Sequence, residues 1–336
     1  MRRMPAEWEK QEAVLFAFPH SRSDWADDLQ SAYSVFLRMI SAVSYHQKCI
    51  VLCHDREEIK SMFCYHDKIS FVEMDYNDTW IRDYGPISVY EDGERLLLDF
   101  KFNAWGDKFP YDKDNRVTKT LVEKWFFYPT KVEEIDFVLE GGSIETDGRG
   151  TLLTTSTCLL NPNRNPGMSR AQIEERLSSA LGIHRVLWLN HGELIGDDTD
   201  AHIDTLARFI DPQTIVYVAC DDPSDPHFQP LLEMKKELES FKTENGNPYR
   251  LIPLPLPTPI FKTNRRLPAT YANFLITNDA VLLPIYRDPA DKEMIMLFKS
   301  LFGDREIIPI DARRLIEEGG SIHCSTMQLS ALREAD

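Results

Sequence analysis

The segment EGGSIHCSTMQ at residues 318–328 begins with five residues, EGGSI, that also occur at residues 140–144. A pentapeptide that recurs this far along a chain indicates that the chain is built from repeated units. The second copy continues into His323 and Cys324, whereas the first copy continues into Glu145 and Thr146. A thiol in only one of the two copies suggests a nucleophile carried by one unit of a repetitive scaffold.

Outward from this repeat, the sequence shows a recurring order of a helix, a short strand and two further strands around a turn. The pattern predicts helices at 27–46, 55–64, 117–126, 169–181, 227–242 and 291–302. It predicts single strands at 48–53, 71–74, near 137, 184–189, 250–256 and 305–311. It predicts paired strands at 84–100, 141–155, 202–219 and 271–286, the first two around Asp-Gly turn signals.

Five such units predict a closed, pseudo-symmetric α/β array rather than two separate domains. Closure would remove the exposed sheet edges that short strands otherwise leave open to association. An ordinary α+β sheet with accidental similarities is the alternative. We expect one domain over residues 1–336, with the proline-rich stretch 253–268 as an extended loop inside the fourth unit.

The charge of the chain limits its partners. The 336 residues include 54 acidic and 38 basic side chains, which gives a net charge of −16. Such a surface repels phosphate backbones and anionic lipids, so we expect neither nucleic acid nor membrane as a partner, and it favours a cationic ligand. Residues 1–10 lack the apolar stretch of a signal peptide, and no apolar run approaches the roughly 18 residues of a membrane span, so we expect a cytoplasmic protein.

The six cysteines lie at spacings that indicate neither a disulfide framework nor a CxxC motif. The group Cys49, Cys53, His54, Cys64 and His66 contains zinc-ligand residue types, but at poor spacing. Cys49 and Cys53 are four residues apart on one face of a predicted strand, where a free cysteine behaves as a small core hydrophobe. We therefore expect no metal there.

Polar residues at equivalent strand ends of a closed array converge on its axis. Four places supply such residues: 77–83 (NDTWIRD), Glu140, 196–204 (GDDTDAHID) and Cys324. If residues 202–204 are extended, His202 and Asp204 share one face and reach the same pocket. His323 and Cys324 would then point to opposite sides, so His202 is the better partner for the thiol.

The thiol of Cys324 needs activation, because a free thiol with a pKa of about 8.5 is mostly protonated at neutral pH. A charged His202 or a cationic substrate would lower that pKa. Surrounding carboxylates oppose a thiolate, which fits a substrate that neutralises them on binding. A planar guanidinium gripped by two carboxylates through paired hydrogen bonds would also hold its central carbon for attack.

Two residue sets have a second interpretation. Trp80 could pack on a flat cation, or it could simply line an apolar pocket. Asp83, Glu140, His202 and Asp204 could instead hold a metal ion, although the cysteine would then need a separate explanation.

Seven stretches together carry a resemblance to a known family. They are MPAEWE at 4–9, NDTWIRDYGP at 77–86, FNAWG at 102–106, EGGSIETDG at 140–148, CLLNPNRNP at 158–166, GDDTDAHIDT at 196–205 and GGSIHC at 319–324. In combination they resemble the agmatine deiminase family, a member of the guanidino-group-modifying (pentein) superfamily. The resemblance implies a five-bladed α/β propeller that hydrolyses agmatine to N-carbamoylputrescine and ammonia, a step towards putrescine, without a metal or organic cofactor.

The same resemblance implies roles for individual residues. Cys324 would be the nucleophile, and His202 would be the general acid and base. Asp83 and Asp204 would bind the guanidinium nitrogens. Glu140 would orient His202 and contact the substrate.

At the rim of the pocket, the resemblance implies that Trp80 lines the site and that Asp78, Asp197 and Asp198 help to bind the distal ammonium. The chain departs from the common family pattern here. Many members read GGGNIHCITQQ and GDEDTNGHID, where this chain reads EGGSIHCSTMQ and the shorter GDDTDAHID. These differences concern the rim, and so the substrate preference, rather than the catalytic identities.

Three other functions compete with agmatine hydrolysis. Deimination of protein arginine needs an open pocket mouth, and no secretion signal or adhesive domain accompanies it here. Deimination of free arginine needs a basic residue for the α-carboxylate, for which Arg82 and Arg164 are nearby candidates. A non-catalytic binder of guanidines or polyamines would not need Cys324. The expected partner is a small cationic guanidine, foremost agmatine, and a homo-oligomer is left open.

Overall fold

The computed structural model describes residues 2–333. Its strands are β1 (Arg2–Arg3), β2 (Gln11–Ala17), β3 (Lys48–Cys53), β4 (Ile69–Glu73), β5 (Ile87–Glu91), β6 (Glu94–Lys101), β7 (Lys131–Val138), β8 (Ile144–Thr146), β9 (Thr151–Thr155), β10 (Arg185–Leu189), β11 (Ala207–Asp211), β12 (Thr214–Ala219), β13 (Arg250–Pro255), β14 (Phe261–Lys262), β15 (Arg265–Arg266), β16 (Leu275–Ile276), β17 (Ala280–Ile285), β18 (Glu306–Asp311) and β19 (Met327–Ser330). Its α-helices are α1 (Leu29–His46), α2 (Arg56–Ser61), α3 (Ile81–Tyr84), α4 (Ala104–Asp107), α5 (Val117–Glu123), α6 (Ser156–Leu159), α7 (Arg170–Leu181), α8 (Phe228–Ser240), α9 (Asp291–Leu301) and α10 (Arg313–Ile316).

Five sheets of the fold share one strand order. In each, the first strand is antiparallel to the second, and the second is parallel to the third. Parallel neighbours need a crossover connection, and a helix supplies it in every case. The units are β5-β6-α5-β7, β8-β9-α7-β10, β11-β12-α8-β13, β16-β17-α9-β18 and β19-β2-α1-β3. The α/β class and the five repeated units are confirmed.

The fifth unit joins the two ends of the described chain. β19 pairs with β2, and Met327 lies opposite Leu15. No strand was predicted at Gln11–Ala17, and each unit was predicted to begin with its helix. In the structure, each unit begins instead with its paired strands. The missed strand reads QEAVLFA, a short buried run without the alternation of a half-buried strand, so periodicity does not reveal it.

The predicted helices are confirmed, mostly with shorter ends. Ser169 caps α7 through a reciprocal pair of hydrogen bonds with Gln172, and Gly182 ends the helix at φ 73°. The helix expected at 117–126 stops at Glu123, since Trp125 takes a left-handed φ of 62°. The rest of the predicted helices begin or end within three residues of the observed ones.

Two local sequence signals have different outcomes. Asp92 and Gly93 have φ values of 52° and 82°, as a tight turn between β5 and β6 requires, so that hairpin is confirmed. The strand predicted at 250–256 is confirmed, whereas the extended loop expected at 253–268 is wrong at both the start and the middle, where β14 and β15 pair. Residues 253–255 belong to β13, which lies parallel to β12. The parallel partner, not the proline content, decides the structure there.

The buried apolar side chains form one continuous cluster that involves all five units. Within residues 2–333, none of the helices has the length and apolar character needed to cross a membrane. The assignment of residues 1–336 to one domain stays a prediction.

Candidate active site

The loop that precedes the first strand of each unit supplies one polar side chain to a common place. These residues stand between two and four positions before their strands: Asp83 before β5, Glu140 before β8, Asp204 before β11, Asn273 before β16 and Cys324 before β19. Four of the five are sequence predictions, and Asn273 is an addition. Repetition of the unit thus explains why residues from distant parts of the chain meet.

Hydrogen bonds link the five units in a closed ring. The bonds are Gly142 N to Asp83 Oδ1 (2.8 Å), Thr155 Oγ1 to Ala201 O (2.8 Å), Asn273 Nδ2 to Asp204 O (3.3 Å), Cys324 N to Asn273 Oδ1 (3.3 Å) and Arg82 N to Cys324 O (3.2 Å). Since each unit contacts the next and the fifth contacts the first, the loops are held around one centre.

A cleft of about 800 Å³, measured to its open mouth, leads to Cys324. Trp80 and Trp105 form part of its wall. Its acidic lining residues are Asp24, Asp78, Asp83, Asp114, Asp198 and Glu318. Among its described lining residues Arg22 is the single basic one. The cleft therefore favours a cation.

Three further polar side chains, those of Glu140, His202 and Asp204, are fully buried and do not line the cleft. Residues 203–205 form a 3₁₀ helix with His202 at its N-cap, so the extended strand expected at 202–204 is wrong. His202 and Asp204 nevertheless reach the same place. A Cβ added to Gly142 would lie 2.7 Å from His202 Nδ1, 2.8 Å from Asp83 Oδ1 and 3.1 Å from Asp204 Oδ2. These groups surround one point, and only glycine leaves space for them.

Several buried polar atoms of this cluster lack a hydrogen-bond partner within residues 2–333. They are both ring nitrogens of His202, Oε2 of Glu140 and Oδ1 of Asp204. Buried polar groups are normally paired, so each such atom needs an explanation. A ligand with several N–H donors would satisfy the two carboxylates, and it would bring its leaving nitrogen within reach of an imidazole.

Burial sets the protonation of the thiol and the imidazole. Burial, and then the nearby Asp204 and Asp83, raise the pKa of Cys324 well above its ordinary value. Burial lowers the pKa of His202 to about 3. These shifts favour a neutral thiol and a neutral imidazole. They oppose activation of the thiol by a charged His202, so a cationic substrate is the better activating group.

The three carboxyl groups near Cys324 differ in ionisation. Burial, followed by repulsion from Asp204 and Glu140, raises the pKa of Asp83 well above its usual range. Burial also raises the pKa of Glu140, against the opposing effect of Arg164. Burial opposes ionisation of Asp204 as well, but the hydrogen bond with His323 and the surrounding positive groups, Arg208 among them, together outweigh it and lower the pKa. One carboxylate is therefore held ionised, while two are more easily protonated until a cation arrives.

Trp105 and Arg164 position Asp83 and Glu140, a role that was not predicted from the sequence. Trp105 Nε1 donates to Asp83 Oδ2 at 3.0 Å, and its backbone has a left-handed φ of 57°. Strained backbone of this kind is concentrated at functional sites. Arg164 Nε donates to Glu140 Oε1 at 2.9 Å, and its guanidinium also bonds Asp200. Both residues lie in stretches that carry the family resemblance. That resemblance is the sequence signal by which they could have been found.

Beneath Cys324, a second buried network fixes Asp204. His323 Nδ1 lies 2.8 Å from Asp204 Oδ2, and its Nε2 lies 2.7 Å from Glu7 Oε2. Arg208 Nη2 donates to the same Glu7 oxygen at 2.7 Å. His323 sits in a turn and contacts acids, so it is not positioned as the base for its neighbour Cys324. His202 thus stays the predicted partner of the Cys324 thiol. The reason is that His323 contacts two acids, and not the strand alternation that the sequence led us to expect.

The predicted rim residues divide into two groups. Trp80, Asp78 and Asp198 line the cleft. The expected role of Asp197 is not supported, since it does not line the cleft and its carboxylate accepts hydrogen bonds from Thr199 and Ala201 instead. Burial raises the pKa of Asp78 to about 6, and burial together with Asp197 raises that of Asp198 to about 6.

The basic residues considered for an α-carboxylate are engaged elsewhere. Arg82 is buried and donates to His323 O and Gln328 Oε1. Arg164 is buried against Glu140. Neither residue lines the cleft.

Potential metal ligands occur among the cysteines and beside Glu140. The sulfur atoms of Cys49 and Cys53 point to the backbone carbonyls of Ile40 and Val72, as core cysteines do. Across the described part of the chain, one group of three potential ligands comes together, Glu140, Cys158 and His202, with ligand atoms within 4.8 Å of one another. The guanidinium of Arg164 bound to Glu140 opposes a cation there. The four-residue metal set considered from the sequence does not form such a group.

Known proteins resemble this chain over nearly its whole length. The sequence model of the family described as Porphyromonas-type peptidyl-arginine deiminase matches residues 3–330. An agmatine deiminase from Pseudomonas aeruginosa is 32% identical, over 99% of this chain and 96% of its own. A cysteine-to-serine variant of a C. jejuni agmatine deiminase, solved with substrate bound, is 38% identical with a TM-score of 0.94, over 99% and 98% of the two chains. A structure named "Putative Arginine Deiminase", from Porphyromonas gingivalis, is 47% identical with a TM-score of 0.94, over 98% of both chains.

Proposed function

Because the chain belongs to the Porphyromonas-type peptidyl-arginine deiminase family, we propose that it hydrolyses the guanidinium group of agmatine to N-carbamoylputrescine and ammonia, towards putrescine. The observation that carries the proposal is the set of unpartnered buried atoms beside Cys324. Glu140 Oε2 and Asp204 Oδ1 are acceptors without donors, and both ring nitrogens of His202 are free among residues 2–333.

A guanidinium matches this set in shape and charge. It is planar and carries N–H donors in a fixed fork, which suits paired carboxylates. Asp83 and Asp204 would grip its nitrogens, and Glu140 would accept a further N–H. Its positive charge would favour ionised Asp83 and Glu140, whose pKa values burial raises in the empty site. The same charge would lower the pKa of Cys324, so that the substrate itself promotes formation of the thiolate.

The reaction then follows in two halves. The Cys324 thiolate attacks the guanidinium carbon and forms a C–S bond. His202 takes up the thiol proton and gives it to the departing nitrogen, so ammonia leaves and an S-alkylthiouronium remains. In the second half, His202 removes a proton from water. The water oxygen attacks the same carbon, the C–S bond breaks, and the urea product leaves with the thiolate restored.

The cleft favours agmatine over arginine. Agmatine carries a second ammonium and no carboxylate, which fits a wall of acids that includes Asp198. Arginine brings an α-carboxylate, and Arg22 is the one described lining residue with a positive charge. Arg22 Nη2 is already within 3.2 Å of Asp75 and 3.1 Å of His54. Deimination of peptidyl-arginine is the second candidate, because the open mouth of the cleft and the name of the matched family support it.

Ammonia release tests the proposal directly. Purified protein would be offered agmatine, free arginine and a blocked arginyl peptide, with Cys324→Ala as the matched control. We expect release from agmatine, lost in the variant. Release mainly from arginine or the peptide would reassign the substrate, and turnover by Cys324→Ala would overturn the nucleophile. Silence of the wild type on all three would favour a non-catalytic binder.

Two wider properties also remain proposals. We propose that the protein works in the cytoplasm, on the small cationic guanidine that the acidic surface favours, and that it is able to form a homo-oligomer. Cell fractionation tests the first statement, and light scattering of the purified protein tests the second.

A further inference from the structure

Asn273 is the residue by which the fourth unit enters the active site. It stands two positions before β16, at the place where the other four units supply Asp83, Glu140, Asp204 and Cys324. It is fully buried. We propose that Asn273 is a further catalytic residue, whose side-chain amide donates a hydrogen bond to the Cys324 thiolate and stabilises it. The proposal rests on the proposed role of Cys324 as nucleophile.

The backbone fixes which way the amide points. The N–H groups of His323 and Cys324 donate to Asn273 Oδ1 at 3.0 and 3.3 Å. An oxygen that receives two backbone donors cannot be exchanged for the NH₂ group without loss of both bonds. The NH₂ group must therefore occupy the other side. There it donates to Asp204 O and to Cys324 Sγ, both at 3.3 Å.

This arrangement serves both forms of the sulfur. As a thiol, Cys324 Sγ can donate towards Asn273 Oδ1 at 3.5 Å or Asp204 Oδ2 at 3.7 Å. As a thiolate, it can only accept, and Asn273 Nδ2 is then its side-chain donor. No movement of Asn273 is needed when the proton leaves. A donor already in place costs no reorganisation at the moment of reaction.

The charges around Cys324 explain why a neutral donor is useful. Burial, and then Asp204 and Asp83, raise the pKa of the thiol, whereas the hydrogen bond from Asn273 lowers it. A cationic donor there would pair with the acids and compete with a cationic substrate. An amide stabilises the sulfur anion and leaves the carboxylates available.

Two substitutions test the role. Asn273→Ala removes the donor and the acceptor, whereas Asn273→Asp keeps an acceptor for the two backbone N–H groups and replaces the donor with an acid. Asn278→Asp is the matched control, because Asn278 lies at the other end of β16 and bonds the backbone of Gln11. Melting temperature and circular dichroism would show which variants fold.

The main readout is the pH dependence of Cys324 alkylation by 2-chloroacetamidine, a cationic reagent whose amidinium matches a guanidinium. The modified peptide would be identified by mass spectrometry. We expect both Asn273 variants to shift the apparent thiol pKa upwards and to slow alkylation at about pH 7.5 by roughly 10- to 100-fold, with Asn273→Asp slower than Asn273→Ala. Asn278→Asp should alkylate as the wild type does.

An unchanged alkylation pKa in a folded Asn273 variant would overturn the proposal, even if the rate of agmatine turnover falls. That pattern would indicate a purely structural contact. Failure of the proposed function looks different, since the wild type would then alkylate at Cys324 but release no ammonia from agmatine. The two failures are therefore distinguishable in one set of proteins.

Discussion

The two copies of EGGSI share five residues and differ in almost every contact. Glu140 of the first copy is fully buried and bonds Arg164 at 2.9 Å. Glu318 of the second copy lines the mouth of the cleft and pairs with Arg314 at 2.6 Å. The first glutamate can act on a bound ligand, while the second belongs to a partly buried ion pair at the cleft. The two identical segments therefore place their glutamates in different surroundings.

The register of the two copies also differs. Ile144 is the first residue of β8, whereas Ile322 lies in a turn and β19 begins only at Met327. Cys324 stands three residues before β19, close to the position that Glu140 holds four residues before β8, whereas Glu318 lies nine residues before β19. The repeated pentapeptide thus correctly predicted repeated units. Aligning its two copies, however, does not align the structurally equivalent residues. An internal repeat locates similar units, but the strands decide which residues are equivalent.

The sharpest way to break this comparison is to make the same change in both copies. Glu140→Gln removes a buried carboxylate next to His202, and we expect turnover of agmatine to fall by about 10²- to 10⁴-fold. Glu318→Gln removes one partner of a partly buried ion pair and one negative charge from the cleft lining, and we expect a smaller loss, of roughly tenfold or less. Steady-state kinetics of the two variants, side by side, check the prediction. Similar losses in both would show that the copies are equivalent after all.

A smaller effect is expected from filling the glycines. A Cβ at Gly142 would meet His202 and Asp83 within 2.8 Å, while a Cβ at Gly320 would overlap the Trp80 ring. Gly142→Ala should lower kcat by about 100-fold through misplacement of the reacting groups. Gly320→Ala should move Trp80 and raise KM by roughly three- to tenfold. If both changes alter the same kinetic constant, the division between chemistry and binding is wrong.

The smallest effect concerns the rim and is seen as a pH dependence. The pKa of Asp198 is raised to about 6 by burial and by Asp197, so its charge is lost as pH falls through 6. Loss of a negative charge weakens binding of a dication, and kcat/KM for agmatine should decrease below this pH. Asp198→Asn should lower kcat/KM at about pH 8 by roughly three- to tenfold and make the acid limb shallower, with Asp78 contributing the remainder. Asp136→Asn, at an exposed site paired with Lys101, is the control. An acid limb of full depth in Asp198→Asn would assign the titration to another group.

Much of the fold could be predicted from the sequence, because helix caps and tight turns are local. Ser169, Gly182 and the Asp92-Gly93 turn took the structure their types favour. The strand at Gln11–Ala17 was missed because its sequence lacks the alternation of a half-buried strand and its antiparallel partner β19 lies more than 300 residues away. A pairing over such a distance leaves no local signal.

The same division holds for the site. Cys324, His202, Glu140, Asp83 and Asp204 could be named as candidates because the motifs that contain them resemble those of a family. Their supporting contacts could not, since they depend on distances across units. The bond from Trp105 to Asp83 and that from Asn273 to Cys324 join residues 22 and 51 positions apart. For a related reason, the sequence did not reveal that the loop turns the Asp197 carboxylate towards Thr199 and Ala201 and away from the cleft.

The pairing of β19 with β2 has a consequence for how the protein comes into being. Cys324 is synthesised after the other four units, whereas β2, the strand that holds its unit in place, is synthesised before them. The residues of the other four units are therefore made before the last strand of the fifth. We expect the docking of β19 against β2 to complete the fold and the positioning of Cys324 in one event.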